Sequence, residues 1–356
     1  MPTRRALITA APLLVAGCSR CASPYDEAVR SLWRLPDLSG GGFPAMALIG
    51  AATLAANGHN TQPWRFKVEP RVIEILPDPT RRTPVVDPDN HHLFVSLGCA
   101  LETLLQAGLG YGWAGEPAVL SGGGVRVVFS SVPARPDALF QAIPHRASTR
   151  TPYDGTPVDA ATLRRLEAAV GQSVGLRLVL DGDARAKLSD MIVAGNDAQL
   201  ADPAFMRELV AWIRFDAGEA LARRDGLFTA ASGNLAAPRW LGQRLLPLVM
   251  TRRSEADRLR RVVASSPGLA IFTGPAETPE AWIAVGRAFT RFALTATAEG
   301  LKLAFMNQPV EDLSTRRRLA AWLGEPAKRP DLVVRFGRGP DLPRSLRRPS
   351  RDLLVS

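Results

Sequence analysis

Residues 59 to 66 read His59-Asn60-Thr61-Gln62-Pro63-Trp64-Arg65-Phe66. Two carboxamides, a ring that fixes the backbone and an indole, all close together, can present hydrogen bonds beside a flat apolar face. That combination suits a planar ligand with polar edges. The same residues also describe a helix closed by Asn57-Gly58 and followed by a turn whose Trp64 is core. A second cluster, Arg146-Ala147-Ser148-Thr149-Arg150, sets two guanidinium forks around a hydroxyl and suits a phosphate. Its alternative is a solvated basic turn after an exposed helix. His59, His91, His92 and His145 show no spacing with Cys or Asp of the kind a zinc or iron site uses, so no metal is expected. No acid/base triad of a hydrolase stands out either.

Helices and strands must hold these clusters. Phe43 to Asn57 carries Met46, Leu48, Ile49 and Leu54 among alanines and reads as a buried helix leading into the first cluster. Phe66 to Val68 and Val72 to Ile75 flank Glu69-Pro70-Arg71 as a hairpin. Leucines at helical spacing predict a helix over Asn90 to Trp113, with small Gly98 and Ala100 permitting close packing, and strands follow at 118–120 and 125–130. After the arginine cluster come a helix at 162–170, a strand at 176–180 and a mostly helical stretch to Val263. Loops near Arg224-Asp225-Gly226 and Ser232-Gly233-Asn234 interrupt that stretch, and an insertion of this kind suits a lid. A strand at 269–273, a helix at 279–300, Leu303 to Met306 and a strand at 331–336 complete the pattern. The segments around Gly98 and Gly286 are similar to each other, each a Gly-x-Ala helix ending in Gly-Leu, which is a faint internal repeat.

The chain opens Met1-Pro2-Thr3-Arg4-Arg5, continues without charge from Ala6 to Gly17 and reaches Cys18. This reads as a signal peptide over 1–17, with Val15-Ala16-Gly17-Cys18 resembling a lipobox that would make Cys18 the lipidated residue. The paired arginines also resemble a twin-arginine signal, whose pathway exports folded, cofactor-loaded proteins. The expected location is the periplasmic face of a bacterial membrane, inner or outer, held by a lipid anchor, with residues 18–42 as a tether. Composition is otherwise ordinary for a globular protein: 356 residues, 46% hydrophobic, with mean hydropathy near zero. No later segment stands out as a membrane span. Net charge is +10, but the arginines are scattered through every segment and only four basic residues are lysines, which argues coding bias rather than a nucleic-acid footprint. No nucleic-acid partner is expected.

Asn60-x-Gln62-Pro63-Trp64-x-Phe66 after a small-residue helix resembles the flavin-contacting loop of the nitroreductase family, and His59-Asn60-Thr61-Gln62-Pro63-Trp64 resembles its Acg-like branch of fused, double-length chains. The resemblance implies an α+β nitroreductase-like fold, mainly antiparallel sheet flanked by helices, in which two fused half-repeats form an internal pseudo-dimer. The expected division is 43–135 for the first half and 136–356 for the second, which would contain the helical insertion at about 183–263. It implies FMN as cofactor, with Arg146, Ser148 and Arg150 on its phosphate, completed by C-terminal Arg347 and by Arg344 or Arg348. His59, Asn60, Gln62, Pro63 and Trp64 would surround the isoalloxazine, and Asn307 and Gln308 would lie near flavin N5. No catalytic side chain is required, because the flavin carries the chemistry. The implied activity is an FMN-dependent oxidoreductase acting on a nitro-aromatic, a quinone or a similar planar acceptor, with NAD(P)H, a quinol or a redox protein as donor. The alternatives are a closed flavin-binding protein with little turnover, for storage or sequestration, and a lipoprotein scaffold without flavin.

Overall fold

The computed structural model describes residues 23–38 and 42–355. The signal peptide, the proposed lipidation at Cys18 and Cys21 lie outside the described residues. The tether lies only partly within them, and what is described there is docked. Ser23 caps the helix α1 (Pro24–Leu32) by accepting from the Asp26 amide. Tyr25 is buried and donates from its hydroxyl to the Arg344 carbonyl at 2.5 Å, and Trp33 Nε1 donates to the Ser345 carbonyl at 3.0 Å.

The helix α2 (Ala45–Thr53) is apolar on nearly every face and leads through a 3-10 turn at Gly58–Asn60 into strands β1 (Trp64–Glu69) and β2 (Val72–Pro77). Pro70-Arg71 closes that hairpin, with Arg71 at φ 56. The long helix α3 (His91–Gly110) follows, then β3 (Trp113–Val119) and β4 (Val125–Ser131). The sequence pattern carries this helix to Trp113, but Gly112 at φ 83 ends it and Trp113 opens the strand. By length and composition α3 is apolar enough to cross a membrane, contrary to the reading of the sequence; it is instead the buried core helix.

The second part begins with α4 (Ala138–Ala142), α5 (Ala160–Val170) and β5 (Gly175–Val179). The insertion holds α6 (Gly182–Ala201), α7 (Pro203–Trp212), β6 (Ile213–Arg214), α8 (Ala217–Arg223), β7 (Leu227–Phe228), α9 (Arg239–Val249) and α10 (Arg252–Ala264). It is followed by β8 (Gly268–Thr273), α11 (Pro279–Ala298), β9 (Lys302–Phe305), α12 (Gln308–Glu311), α13 (Leu313–Trp322) and β10 (Pro330–Gly337).

Two four-stranded sheets result, ordered β1-β2-β4-β3 and β5-β8-β10-β9, with every neighbouring pair antiparallel. Numbered from their own first strands, the two orders are the same, and α3 and α11 each stand between the second and third strands of their sheet. The fold is α+β, built from two units of one topology. Their central helices pack closely because glycine sits at the crossing. A Cβ on Gly98 would collide with the Ile283 carbonyl, and one on Gly286 with the Val95 carbonyl. The displacement along the chain that carries Gly98 to Gly286 also carries Val95 to Ile283, so the two contacts are equivalent, as across a two-fold axis. One hydrophobic cluster spans both units, from Leu48 and Phe66 to Phe272, Phe292 and Phe336.

Candidate functional site

A cavity of about 1040 Å³ opens where the two units and the insertion meet. The turn after α2 brings Ala56 to His59 to its wall, and α3 contributes His92, Val95, Ser96 and Cys99. Arg150 to Pro152, Asn196 and Gln199 of α6, several residues between Ser232 and Val262, Phe305, Asn307, Gln308 and Glu311 also line it. Pockets that enclose small ligands run from about 300 to 1,000 Å³, so there is room for a cofactor and a planar partner.

The wall contains polar atoms without protein partners. His59 Nδ1, Thr151 Oγ1, Asn196 Nδ2 and Gln308 Oε1 are all buried and make no hydrogen bond among the described residues. Buried polar atoms are normally paired, so a group of orphans around one cavity marks where a polar ligand fits. Arg150 has only the Ser232 hydroxyl, at 3.4 Å, and no carboxylate. Burial, with Arg258 nearby, pulls its pKa below the ordinary value, a cost that a bound anion would offset.

A charged pair stands on the same wall. His92 Nε2 lies 3.4 Å from Glu311 Oε1, and Gln199 Nε2 donates to Glu311 Oε2 at 2.6 Å. Burial alone would lower the imidazole pKa, but the hydrogen bond to Glu311 and the charge of Asp87 outweigh it, so His92 titrates above its usual range. Burial likewise pushes Glu311 up, and its bond to His92 overrides that and holds it low. His59 is driven low by burial. The wall therefore carries a histidine and a carboxylate that stabilise each other's charged forms, beside an imidazole that burial holds neutral.

Of the residues singled out in the sequence, His59, Arg150, Asn307 and Gln308 line this cavity. The others do not, and each has a structural reason. Asn60 is buried and donates to the Gly226 and Leu346 carbonyls, both at 3.1 Å. Gln62 donates to the Arg224 carbonyl at 2.9 Å and accepts from the Arg348 amide at 2.8 Å. These two amides tie the insertion and the C-terminal segment to the loop, and Asn60 Oδ1 is left buried without a partner among the described residues. Pro63 accepts from the Asp78 amide at 3.0 Å, and Trp64 is fully buried as the first residue of β1. Ser148 forms a β-bridge with Leu303.

The arginines divide in the same way. Arg146 Nη2 donates to the Leu54 carbonyl at 3.1 Å, and Arg347 Nε donates to the Thr53 carbonyl at 2.7 Å. Both sit at the C-terminal end of α2, where carbonyls without helical partners attract cations. Burial lowers Arg146 to about 10, and burial together with Arg146 lowers Arg347 to about 9, so both remain cationic at neutral pH. Arg344 donates to the Pro144 and His145 carbonyls and lies over the Trp33 ring at 4.9 Å. Arg348 faces Asp78 at 4.0 Å. Of the predicted arginines, Arg146 and Arg347 form a helix clamp and Arg150 lines the cavity, where Arg258 and Arg261 join it.

The sequence reading missed His92, Ser96 and Cys99, a stripe at i, i+4 and i+7 along an otherwise apolar α3, and Asn196 with Gln199 on α6. Polar residues at helical spacing on an apolar helix were the signal available.

No family model matches the chain. Two proteins of Mycobacterium tuberculosis, from strains CDC 1551 and H37Rv, are each 27% identical to it over 300 residues, covering 81% of this chain and 83% of theirs. Their names provisionally describe them as NAD(P)H nitroreductases. Among solved structures, the FMN-dependent nitroreductase NfnB of Mycobacterium smegmatis, in complex with NADPH, aligns at 16% identity with a TM-score of 0.37, covering 57% of this chain and 87% of that one. A nitroreductase of Desulfovibrio desulfuricans with FMN aligns at 15% identity with a TM-score of 0.38, covering 62% of this chain and 96% of that one.

Proposed function

We propose that this chain is a member of the nitroreductase family, an FMN-dependent oxidoreductase that reduces a planar acceptor such as a nitro-aromatic or a quinone, with NAD(P)H as donor. The observation that carries the reading is the cavity between the two units, with its orphaned polar atoms and with Arg150, which has no carboxylate partner among the described residues. Sequence likeness to the mycobacterial relatives over most of the chain supports it. When bound, FMN would supply hydride transfer at its N5.

The chain's own residues would bind and orient. Arg150 would hold the phosphate, while Thr151 Oγ1, Asn196 Nδ2, His59 Nδ1 and Gln308 Oε1 would meet the ribityl hydroxyls and the polar ring edge. Val95, Phe305 and Leu332 would form the apolar wall that excludes water. His92, whose charged form Glu311 favours, would be a proton-bearing group beside a ring that becomes more negative on reduction. The division into halves at 43–135 and 136–356, the export signal and the Cys18 anchor belong to the same proposal, the anchor being tested by labelling with radioactive palmitate in wild type and Cys18→Ser.

The test of the cofactor is reconstitution of the purified chain with FMN. The expected result is a flavin absorbance spectrum that is retained on gel filtration, bleached by NADPH and restored by a quinone. A chain that stays colourless with added FMN would overturn the proposal. A second reading, stable flavin binding with little turnover, is favoured by the insertion, since α6, α7, α9 and α10 all contribute walls that enclose the cavity. It predicts the same spectrum without bleaching by either nicotinamide.

A further inference from the structure

Residues 235–253 contribute Leu235, Leu245, Leu246, Val249 and Met250 among others to the cavity lining and carry Arg239, Arg244, Arg252 and Arg253 with no acidic residue. The helix α9 at their centre is 11 residues long and has no buried residue. Leu235 is 95% exposed, Leu248 72%, Trp240 and Val249 63% each. Trp240, Arg244 and Leu248 are four residues apart and therefore share one stripe, all of it exposed. Large exposed apolar side chains gathered on one helix of a globular protein mark an interaction surface.

Charge says what the surface meets. Arg239 is paired with Glu219, but Arg244, Arg252 and Arg253 pair with no carboxylate among the described residues. Arginine, tryptophan and leucine together on one short helix match a helix lying in the interface of an anionic bilayer, the indole at headgroup depth and the guanidiniums on phosphates. Position agrees. Leu245 and Val249 are exposed and also line the cavity, so this face surrounds its mouth. The Tyr25 ring lies 4.8 Å from that of Phe228 and clusters with Ala231, just before the segment leading into α9. The described chain thus starts against the insertion that carries α9, and the sequence preceding it includes the uncharged run from Ala6 to Gly17.

We propose that α9 and its flanks are a docking face for an anionic lipid bilayer, which sets the mouth of the cavity against the membrane. The assignment does not depend on which cofactor the cavity holds. The test is hydrogen–deuterium exchange of the full chain, alone, with phosphatidylcholine vesicles and with vesicles that also contain phosphatidylglycerol. The expected result is slowed exchange across 239–250 with the anionic vesicles only, and an Arg244→Gln variant that needs about fivefold more lipid for the same protection. Unchanged exchange in this segment would overturn the proposal even if the chain is membrane-bound elsewhere. Equal protection by neutral vesicles would overturn the anionic assignment. Protection already present without lipid, and lost when residues 1–22 are removed, would identify the chain's own apolar segment as the occupant instead.

Discussion

Arg150 and Arg146 are four residues apart and do different work. The Arg150 guanidinium faces the cavity with a single hydroxyl partner, whereas that of Arg146 holds the Leu54 carbonyl at the end of α2. Charge-assisted hydrogen bonds contribute about 1.5–3 kcal/mol each, so Arg150→Ala should weaken FMN binding by roughly 10- to 100-fold with little change in Tm. Arg146→Ala should instead cost about 1–3 kcal/mol of stability and leave the flavin affinity of the folded fraction near wild type. Fluorescence titration with FMN beside calorimetry separates the two. Equal loss of flavin affinity in both variants would return Arg146 to the phosphate site.

The pair of His92 and Glu311 gives the site a pH signature. A raised imidazole contributes stability that is complete below its ordinary range and is lost as pH rises through the raised value, and a depressed carboxylate contributes above its ordinary range and loses it as pH falls through the depressed value. The window between them, above the ordinary carboxylate value and below the ordinary imidazole value, is mildly acidic. The stability gap between wild type and His92→Gln, about 1–2 kcal/mol, should be widest there and close on the alkaline side. A gap independent of pH in thermal melts would mean that the pair is not ionised.

Among the elements, the crossing of α3 and α11 sets the distance between the two units. Because Cβ atoms at Gly98 and Gly286 would each meet backbone of the other helix, no side-chain rotation relieves the clash. Either substitution to Ala should destabilise by about 1–3 kcal/mol, seen as a lower denaturant midpoint. The cavity should also be displaced, because Cys99 and Val95 on the same helix line it. A neutral Gly98→Ala would show that the helices can separate freely. The turn at Gly58–Asn60 is the other determining element. His59 at φ 47, Asn60 at φ 53 and Gln62 at φ 54 all occupy the left-handed region that glycine favours, a strain that the surrounding hydrogen bonds hold in place. The insertion is tied to the first unit by Asp225, which accepts from Arg214 Nε at 2.9 Å and also pairs with Arg81 beside β2. Asp225→Ala would leave two guanidiniums without their carboxylate, a loss of about 3–5 kcal/mol, and limited proteolysis should then cut first within the insertion.

At the scale of the molecule, one chain contains both units and the cavity draws on both, so the proposed flavin site would need no second copy. Light scattering with absorbance should find one FMN per chain in a monomer-sized peak; flavin confined to a dimer peak would refute this. Much of the architecture was legible in the sequence because it is local. Hydrophobic periodicity marks α3 and α11, alternation and turns mark the strands, and Gly98 with Gly286 marks the repeat. His59, Arg150, Asn307 and Gln308 were legible as candidate site residues for a similar reason, each lying in a short motif. What the sequence could not decide is where side chains of the same type point. Asn60, Gln62, Arg146 and Arg347 have the chemistry of ligand contacts, yet buried carbonyls from distant segments claim them, since an unpaired buried donor is costly and the nearest acceptor wins. The pairing of His92 with Glu311 and the enclosure of the cavity by α6 and α9 bring together residues far apart in the chain. Periodicity along one segment carries no information about such meetings, and only the packing of α3, α11 and the insertion decided them.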